Sequence, residues 1–490
     1  GATPGFVMVK KTSGTGNWSC WHRSLDSDDY ILLNTTGAAV AAGSSYNRTV
    51  NSTTYQVFGN FSDEGANGET YVMYLFAHNN NDGEFGPTQN ADIIKCGSFT
   101  GVGTGAVNVD LGFEPQWIIV KNATRAEGWF IQDTIRGMAD PEWEYLLSNE
   151  SSAAAGSNSN FVVPTASGFT VNNNGSSAFG QSGDTVIYMA IRKSPQASPT
   201  AGTQVFSPNL ATGLPRYATG FVTDFTIQST IDSGSKANYT RLTGDQALRT
   251  TSTASEFGSA WDWVQMTGSG PNFSSTNYIG WNWRRAPGYF DVVAYSGTGS
   301  ARTVSHSLGV APEMMWVKAR SKIEDWSVYH SGIPNPEQNY LYLNDASALN
   351  PNSNTIKYWN HTNPTSSVFS VGDESRVNAS GHTYIAYLFA TVAGVSKLGS
   401  FSHTNGSTTD VNCGFTSGAR FVLLKRYNDT GSWILFDSVR GIVAGNDPFL
   451  KLDIVDAETT GNDVIDPLSS GFQVASGYLA TGDWIFYAIA

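Results

Sequence analysis

The chain has 490 residues, a formal net charge of −13 and only 14% charged residues, while aromatic residues reach 12%. This length allows several domains, each with its own core. Phosphate binding rests on concentrated Lys and Arg, so an acidic chain without a basic cluster is not expected to bind nucleic acid. No apolar run reaches the roughly eighteen residues of a membrane-spanning helix, so no membrane insertion is predicted. The three cysteines do not suggest a disulfide scaffold.

A lysine followed by seven residues and a tryptophan recurs along the chain. The four copies are Lys10/Trp18, Lys121/Trp129, Lys318/Trp326 and Lys425/Trp433. Each lysine ends an apolar run that predicts a buried strand, and each tryptophan opens a second short strand. An aromatic strand closes each copy. The lysine recurs after 111 residues (121 − 10) and 107 residues (425 − 318), so one unit has the size of a small domain.

These spacings predict about five tandem repeats, which we number in chain order. Their boundaries are residues 1–91, 92–194, 203–287, 288–394 and 395–490. The third repeat has lost the Lys/Trp signature. The others form two subtypes: the first and fourth carry a histidine after the tryptophan (His22, His330), and the second and fifth carry Asp-x-x-Arg (Asp133/Arg136, Asp437/Arg440).

The first repeat differs at its beginning. Later repeats start with an extra strand, predicted at residues 94–99, 290–295 and 398–401, whereas the first starts almost directly on its lysine strand. An unpaired sheet edge is a liability. We therefore expect either that the chain is part of a longer polypeptide, which we favour, or that another segment or subunit supplies the strand.

Six to eight predicted strands per hundred residues suit a two-sheet antiparallel sandwich with jelly-roll-like connections. A propeller blade is the main alternative, but blades occupy about forty to fifty residues, half of one repeat. The predicted fold is therefore all-β, a tandem array of about five antiparallel β-sandwich repeats.

The sequence predicts no catalytic residues, no metal site and no cofactor. The seven histidines and three cysteines lack metal-ligand spacing. Repeated His22 and His330 are interpreted as structural, and each Asp-x-x-Arg as a local carboxylate–guanidinium clamp.

The tryptophans are the remaining candidates, because their faces stack on sugar rings. The four signature tryptophans are interpreted as core residues. Outside the signature, Trp261, Trp263, Trp281 and Trp283 cluster in the third repeat. They are the candidate ligand-binding residues.

Several motifs resemble repeats in surface and tail-fibre proteins of tailed bacteriophages that infect marine bacteria, including cyanophage-like examples. The motifs with this resemblance are residues 295–299, 306–314, 317–321, 326–330 and 340–344 in the fourth repeat, together with 112–115, 437–441 and 471–472 in the second subtype. The similarity covers most of the chain and is weakest over residues 203–287.

The resemblance implies an extracellular virion structural protein of a tail fibre or similar appendage. Its repeats would act as spacers and as an adhesin for host attachment, with other virion subunits and a bacterial surface glycan or receptor as partners. A homo-oligomer is expected. The receptor surface should lie in loops that differ between repeats, such as Ala39 to Val57 or Ser347 to Pro364. The alternatives are a capsid-surface decoration protein, a cellular carbohydrate-binding or surface protein, and an appendage-borne glycan depolymerase.

Overall fold

The computed structural model describes the chain except for residues 1–2, 42, 44–46, 59–60, 79–91, 139–142, 153–154, 158–160, 194–196, 264–265, 271–272 and 352–356. The all-β prediction is confirmed. The described residues form forty strands, one short α-helix (Ser375–Asn378) and three 3-10 turns (Ser177–Phe179, Gly202–Gln204, Arg241–Thr243). In this part of the chain, no helix has the length and apolarity needed to cross a bilayer.

We describe the strands by the five predicted repeats. The first repeat contains β1 (Pro4–Lys11), β2 (Trp18–His22), β3 (Asp29–Leu32), β4 (Val40–Ala41), β5 (Asn47–Val50), β6 (Tyr55–Phe58) and β7 (Tyr71–Ala77). The second contains β8 (Ile94–Thr100), β9 (Thr104–Asp110), β10 (Pro115–Asn122), β11 (Trp129–Asp133), β12 (Trp143–Leu147), β13 (Ala155–Ser157), β14 (Phe161–Thr165), β15 (Gly168–Asn174) and β16 (Thr185–Arg192). The third contains β17 (Phe206–Gly213), β18 (Tyr217–Ala218), β19 (Phe225–Thr230), β20 (Ala237–Thr240), β21 (Gln246–Arg249), β22 (Phe257–Gly258), β23 (Gly268–Ser269) and β24 (Phe273–Trp283).

The fourth repeat contains β25 (Phe290–Ser296), β26 (Arg302–Ser305), β27 (Met314–Ala319), β28 (Ser327–His330), β29 (Asn339–Tyr342), β30 (Asn350–Pro351), β31 (Val368–Val371) and β32 (Thr383–Phe389). The fifth contains β33 (Ser396–His403), β34 (Thr409–Asn412), β35 (Phe421–Arg426), β36 (Ile434–Asp437), β37 (Leu450–Lys451), β38 (Ile465–Leu468), β39 (Gly471–Val474) and β40 (Gly482–Ile489).

Five larger antiparallel sheets share one strand order. In each, a lysine strand (β1, β10, β27, β35) or its counterpart in the third repeat (β19) lies between a tryptophan strand (β2, β11, β28, β36) or its counterpart (β20) and a closing strand (β7, β16, β24, β32, β40). A third strand (β3, β12, β21, β29, β37) follows outside the tryptophan strand. In four sheets a leading strand (β8, β17, β25, β33) pairs with the far edge of the closing strand. The lysine strand is thus central, which explains its apolar sequence.

A smaller sheet packs against the larger one and completes a sandwich-like arrangement. The second and fifth repeats have three-stranded smaller sheets, β14-β15-β9 and β34-β39-β38, and the fourth has the pair β26-β31. Buried side chains between the layers form the cores. In the fifth repeat these include Val422, Phe436, Phe472 and Phe486.

The first repeat has a thinner sandwich. Its small sheet is the hairpin β5-β6, and in the described residues its larger sheet ends at β7. Three side chains of β7 are exposed: Met73 by 39%, Tyr74 by 46% and Leu75 by 55%. A leading strand beside β7 stays a prediction.

The chain divides into two compact units, Gly1–Gln196 and Ala197–Ala490. The boundary falls in the Pro- and Ser-containing segment 194–199. The first unit contains the first two repeats and the second unit contains the other three. The finer division into five domains stays a prediction.

Candidate functional site

Three of the four signature tryptophans join their own repeat to the one before it. Each indole donates a hydrogen bond to the carbonyl of the last residue of that repeat's third strand. The bonds are Trp129 Nε1 to Leu32 O (2.9 Å), Trp326 Nε1 to Arg249 O (2.9 Å) and Trp433 Nε1 to Tyr342 O (2.8 Å). These three indoles are buried. The interpretation as core residues was therefore right about the burial of these three, although their packing partner is another repeat, and it was wrong for Trp18, which is only half-buried.

The signature lysines bind the same segment of the preceding repeat. Their ammonium groups donate to backbone carbonyls that follow the third strand. The bonds are Lys121 Nζ to Thr36 O (3.1 Å), Lys318 Nζ to Thr253 O (3.2 Å) and Lys425 Nζ to Ser347 O (2.8 Å). All three lysine side chains are buried. Backbone carbonyls satisfy a buried ammonium without a carboxylate partner.

A backbone hydrogen bond completes each junction. The donor N–H lies a few residues beyond the third strand, and the acceptor carbonyl lies two residues after the signature lysine. The bonds run from Ala39 to Ala123 (2.8 Å), from Glu256 to Arg320 (2.8 Å) and from Leu349 to Tyr427 (2.7 Å). We call the segments 32–39, 249–256 and 342–349 the acceptor segments.

The third repeat forms a fourth junction of this kind, with the fifth repeat. The pairing of β19 with β20 ends at Gln228 and Ala237. One step further in the same register, Ser229 takes the place of the signature lysine and Lys236 that of the missing tryptophan. Its ammonium donates to Asp456 O (3.1 Å), and Glu458 N donates to Ile231 O (2.8 Å). Residues 451–458 are therefore the fifth repeat's acceptor segment. The fourth repeat thus binds the third, the fifth binds the fourth, and the third binds the fifth. The three repeats form a closed cycle within the second unit.

Sequence reasoning missed Lys236 because it searched for the intact signature. When β19 is aligned with the lysine strands of the other repeats, Lys236 falls at the position of their tryptophans. This alignment is the sequence signal that could have revealed it. The third repeat has indeed lost the signature. Its junction instead uses a lysine at the tryptophan position.

The position that separates the two subtypes also lies at a junction. His22 Nε2 contacts Tyr188 O (3.0 Å) and His330 Nε2 contacts Phe486 O (3.4 Å), both on the closing strand of the following repeat. In the fifth repeat, Asp437 Oδ2 accepts from Trp281 Nε1 of the third repeat (2.9 Å). The structural interpretation of both histidines is confirmed, and the carboxylate makes the corresponding contact in the other subtype.

The predicted Asp-x-x-Arg clamps are present. Asp437 Oδ2 accepts from Arg440 Nε at 2.6 Å, and Asp133 forms the equivalent ion pair with Arg136. Each aspartate also accepts from the backbone N–H groups two and three residues later. The clamp therefore fixes the turn that follows the tryptophan strand.

The four candidate ligand-binding tryptophans lie inside the third repeat and its junctions. Trp261 stacks on Tyr239 with ring centroids 3.7 Å apart, and Trp263 Nε1 donates to Gly244 O. Trp283 lies among aromatic rings, and Trp281 contacts the fifth repeat. Their exposures are 7%, 2%, 0% and 0% for Trp261, Trp263, Trp281 and Trp283. Packing covers these rings in this structure, so sugar stacking on them stays a prediction without an exposed face to support it.

The described residues contain no group of three or more His, Cys, Asp or Glu side chains placed to hold a metal ion. Cys20, Cys96 and Cys413 are free and buried, and burial raises the pKa of each thiol. The thiolate is the reactive form, so these cysteines suit packing rather than nucleophilic chemistry.

Burial lowers the pKa of the four junction lysines, Lys121, Lys236, Lys318 and Lys425, to about 8. An unfolded lysine keeps its proton up to about pH 10.5. Between pH 8 and about 10.5 the unfolded chain therefore binds more protons than the folded chain. These lysines make the free energy of unfolding rise with pH over that range.

Replacing Lys425 by Met is expected to reduce this rise by about 1–2 kcal/mol between pH 8 and about 9.5, because one titrating group is removed. Urea unfolding of the second unit at the two pH values measures the difference. Lys10→Met is the control, since Lys10 is only half-buried. A slope that is unchanged by Lys425→Met would contradict the assignment.

No curated protein matches the chain. A family model does match, over residues 1–195 and 222–490. The match spans both units and omits only residues 196–221, at the start of which the two units meet. The chain therefore belongs to the family described as "Domain of unknown function (DUF7483)".

Proposed function

We propose that the chain is a non-catalytic structural protein of a bacteriophage tail fibre or similar appendage, acting as a spacer and as a host-surface attachment module. One observation carries the proposal: the residues shared between repeats are those that join repeats. Apart from Lys10 and Trp18, the lysines, tryptophans and histidines of the pattern are buried against the backbone of a neighbouring repeat. Such junctions suit a protein that must hold a fixed spacing under load.

The attachment surface belongs in loops outside the junctions. Both loops named from the sequence begin inside acceptor segments, because Ala39 N and Ser347 O bind the following repeat. Their further parts include exposed turns at residues 51–54 and 361–363. We place host recognition on such turns, where variation leaves the junctions intact.

The turn after Trp359 is the stronger of the two candidates. Asn360 and His361 have consecutive left-handed backbones, with φ of 52° and 48°. Non-glycine residues adopt this conformation at a cost, and such outliers concentrate at functional sites. Trp359 anchors the turn by donating from Nε1 to Asn339 O (3.0 Å). The turn is thus held in one shape before any ligand arrives.

The test is incubation of the purified chain with intact candidate host bacteria and with their extracted surface polysaccharide. Retention on cells and release of reducing sugar are scored together. We expect retention without release, weakened by the double variant His361→Ala/Thr362→Ala. The matched control is Thr53→Ala on the other exposed turn.

Other outcomes would redirect the proposal. Release of sugar would replace it by a glycan depolymerase. Neither retention nor release from any susceptible host would favour a spacer or capsid-surface protein whose contacts are with other virion subunits. Equal loss of retention in both loop variants would remove the 360–363 turn from the proposal.

A further inference from the structure

The first repeat carries the junction face of the other repeats, but nothing in the described part of the chain covers it. Trp18 and Tyr74 lie 5.9 Å apart, as do Trp326 and Tyr387 in the fourth repeat. Tyr387 is 1% exposed, whereas Tyr74 is 46% exposed. Lys10 donates to Gly16 O of its own turn, the bond that Lys425 makes to Gly431 in addition to its contact with the fourth repeat.

The second repeat carries the complementary surface, which the described residues likewise leave uncovered. At the penultimate position of the third strand, partnered repeats bury an apolar side chain: Ile31, Leu248, Leu341 and Leu450. The equivalent Leu146 is only half-buried. The clamp beside it follows the same trend. The Asp437 and Arg440 side chains are 0% and 3% exposed, against 17% and 24% for Asp133 and Arg136.

One repeat covers both equivalent surfaces in the second unit. The third repeat places its acceptor segment on Lys318 and Trp326 of the fourth, and it places Lys236 and Trp281 on the fifth. The guanidinium of Arg440 then lies 5.5 Å from the Trp281 ring centroid. The uncovered surfaces of the first unit are the counterparts of these two, on the corresponding pair of repeats.

We propose that the first unit binds a third repeat of this same kind, carried on polypeptide outside residues 1–490. The acceptor segment of this added repeat would lie on Lys10, Trp18 and Tyr74 of the first repeat. Its own lysine and aromatic side chains would lie on the third strand of the second repeat and on the Asp133/Arg136 clamp. The result is the closed cycle already present in the second unit.

In the second unit a single repeat offers both surfaces. A second copy of the chain would offer them on two different repeats, its first and its second, and would therefore close a cycle of four repeats instead of the three-repeat cycle that the second unit shows. Within residues 1–490, the first repeat's acceptor segment already holds Trp129, and the second repeat's junction face already binds Leu32 O and Thr36 O. The third, fourth and fifth repeats use both surfaces in their own cycle.

The open side of β7 is consistent with the same occupant. The leading strand β25 pairs along β32 and follows directly after the third repeat in the chain. A segment that enters the first repeat from such an occupant would pair with β7 in the same way. The exposed Met73 and Leu75 correspond in register to the buried Ala386 and Leu388.

The test is a grafted chain in which a copy of residues 197–308 precedes Gly1 of the full chain. The new connection copies the one between residues 308 and 309, because the motif Gly-x-x-Pro precedes the signature lysine by the same number of residues in both places, as Gly309-x-x-Pro312 before Lys318 and as Gly1-x-x-Pro4 before Lys10. Acylation of each lysine by a water-soluble reagent is followed by tandem mass spectrometry. Buried Lys121 and Lys425 serve as internal standards of protection.

We expect Lys10 to react readily in the natural chain and at least about tenfold more slowly in the grafted chain. In the grafted chain only, Trp18→Ala should lower the unfolding midpoint of the first unit by roughly 10 °C. A graft whose copied Lys236 and Trp281 are changed to Met and Ala should lose part of the protection.

Three results would overturn the proposal. One is a folded grafted chain with Lys10 as reactive as before. Another is a grafted chain that fails to fold although circular dichroism shows the natural chain folded, because the new connection copies an existing one. The last is protection of Lys10 in the natural chain itself. Protection that grows with protein concentration and disappears in Trp18→Ala would show that the occupant is a second copy. Protection that is independent of concentration would show that the chain already covers this face.

Discussion

Replacing Trp433 by Ala is expected to lower the unfolding free energy of the second unit by about 3–5 kcal/mol, the cost of truncating a large buried aromatic side chain. The indole is 1% exposed, so its removal leaves a cavity between the fourth and fifth repeats. The variant also leaves Tyr342 O without its indole donor. An unsatisfied buried carbonyl adds to the loss.

Urea unfolding followed by far-ultraviolet circular dichroism measures this change, with the transition of the first unit as an internal reference. The matched control is Trp18→Ala, at the same position of the signature in the first repeat. Trp18 is half-buried, so its replacement should cost about 1 kcal/mol or less. Equal losses in the two variants would show that the tryptophan stabilises its own repeat and that the junction adds nothing.

Acidification from pH 6.5 to pH 4 is expected to destabilise the first unit through buried His22 and the second unit through buried His330, by about 3 kcal/mol for each of these two histidines. Burial lowers the pKa of both His22 and His330 to about 4, from an ordinary value of 6.5. Burial also lowers the pKa of His306 and His403 in the second unit, so they add to the loss there. Below pH 6.5 the unfolded chain takes up a proton that the folded chain refuses. The contribution to stability is therefore complete above pH 6.5 and is lost as the pH falls towards 4.

The hydrogen bonds explain why the folded imidazole stays neutral. His330 Nδ1 accepts from Gly332 N (3.0 Å), and Nε2 faces the carbonyl of Phe486. His22 repeats this arrangement with Ser24 N (3.1 Å) and Tyr188 O. A second ring proton on Nδ1 would meet an N–H donor, so protonation breaks the bond.

His330→Gln provides the check, because it removes the titrating ring while keeping a polar side chain. It should reduce the loss of second-unit stability between pH 6.5 and 4, whatever it costs at neutral pH. His361→Asn, on an exposed turn whose left-handed backbone asparagine tolerates, is the control. If the acid-induced loss persists unchanged in His330→Gln, another group is responsible for it.

Much of the fold followed from local pattern. Apolar runs that end in Lys10, Lys121, Lys318 and Lys425 are strands, and the expected leading strands appear as β8, β25 and β33. Short strands and polar turns depend on residues that are close together in the sequence. The pattern of apolar and polar residues therefore indicates them directly. The roles of Asp437 and Arg440 were equally predictable, since the two residues form one turn.

The junctions were visible in the sequence on one side only. Lysine and tryptophan recur because their side chains make the contact, and this recurrence predicted buried, structurally equivalent positions. Their partners are the backbone carbonyls of Leu32, Arg249 and Tyr342, which share no side-chain chemistry. Every residue carries a carbonyl, so an acceptor segment needs no characteristic sequence.

The sequence by itself determined the strand-rich repeat, its central apolar strand and the positions that must be buried. Only the tertiary structure decided which repeat buries them, that Lys236 replaces a lost tryptophan at its junction, and that three repeats close a cycle while the described residues of the other two leave a junction face and an acceptor segment uncovered. The physical reason is that burial is a property of one residue, whereas the partner at a junction is chosen by where distant backbone segments meet.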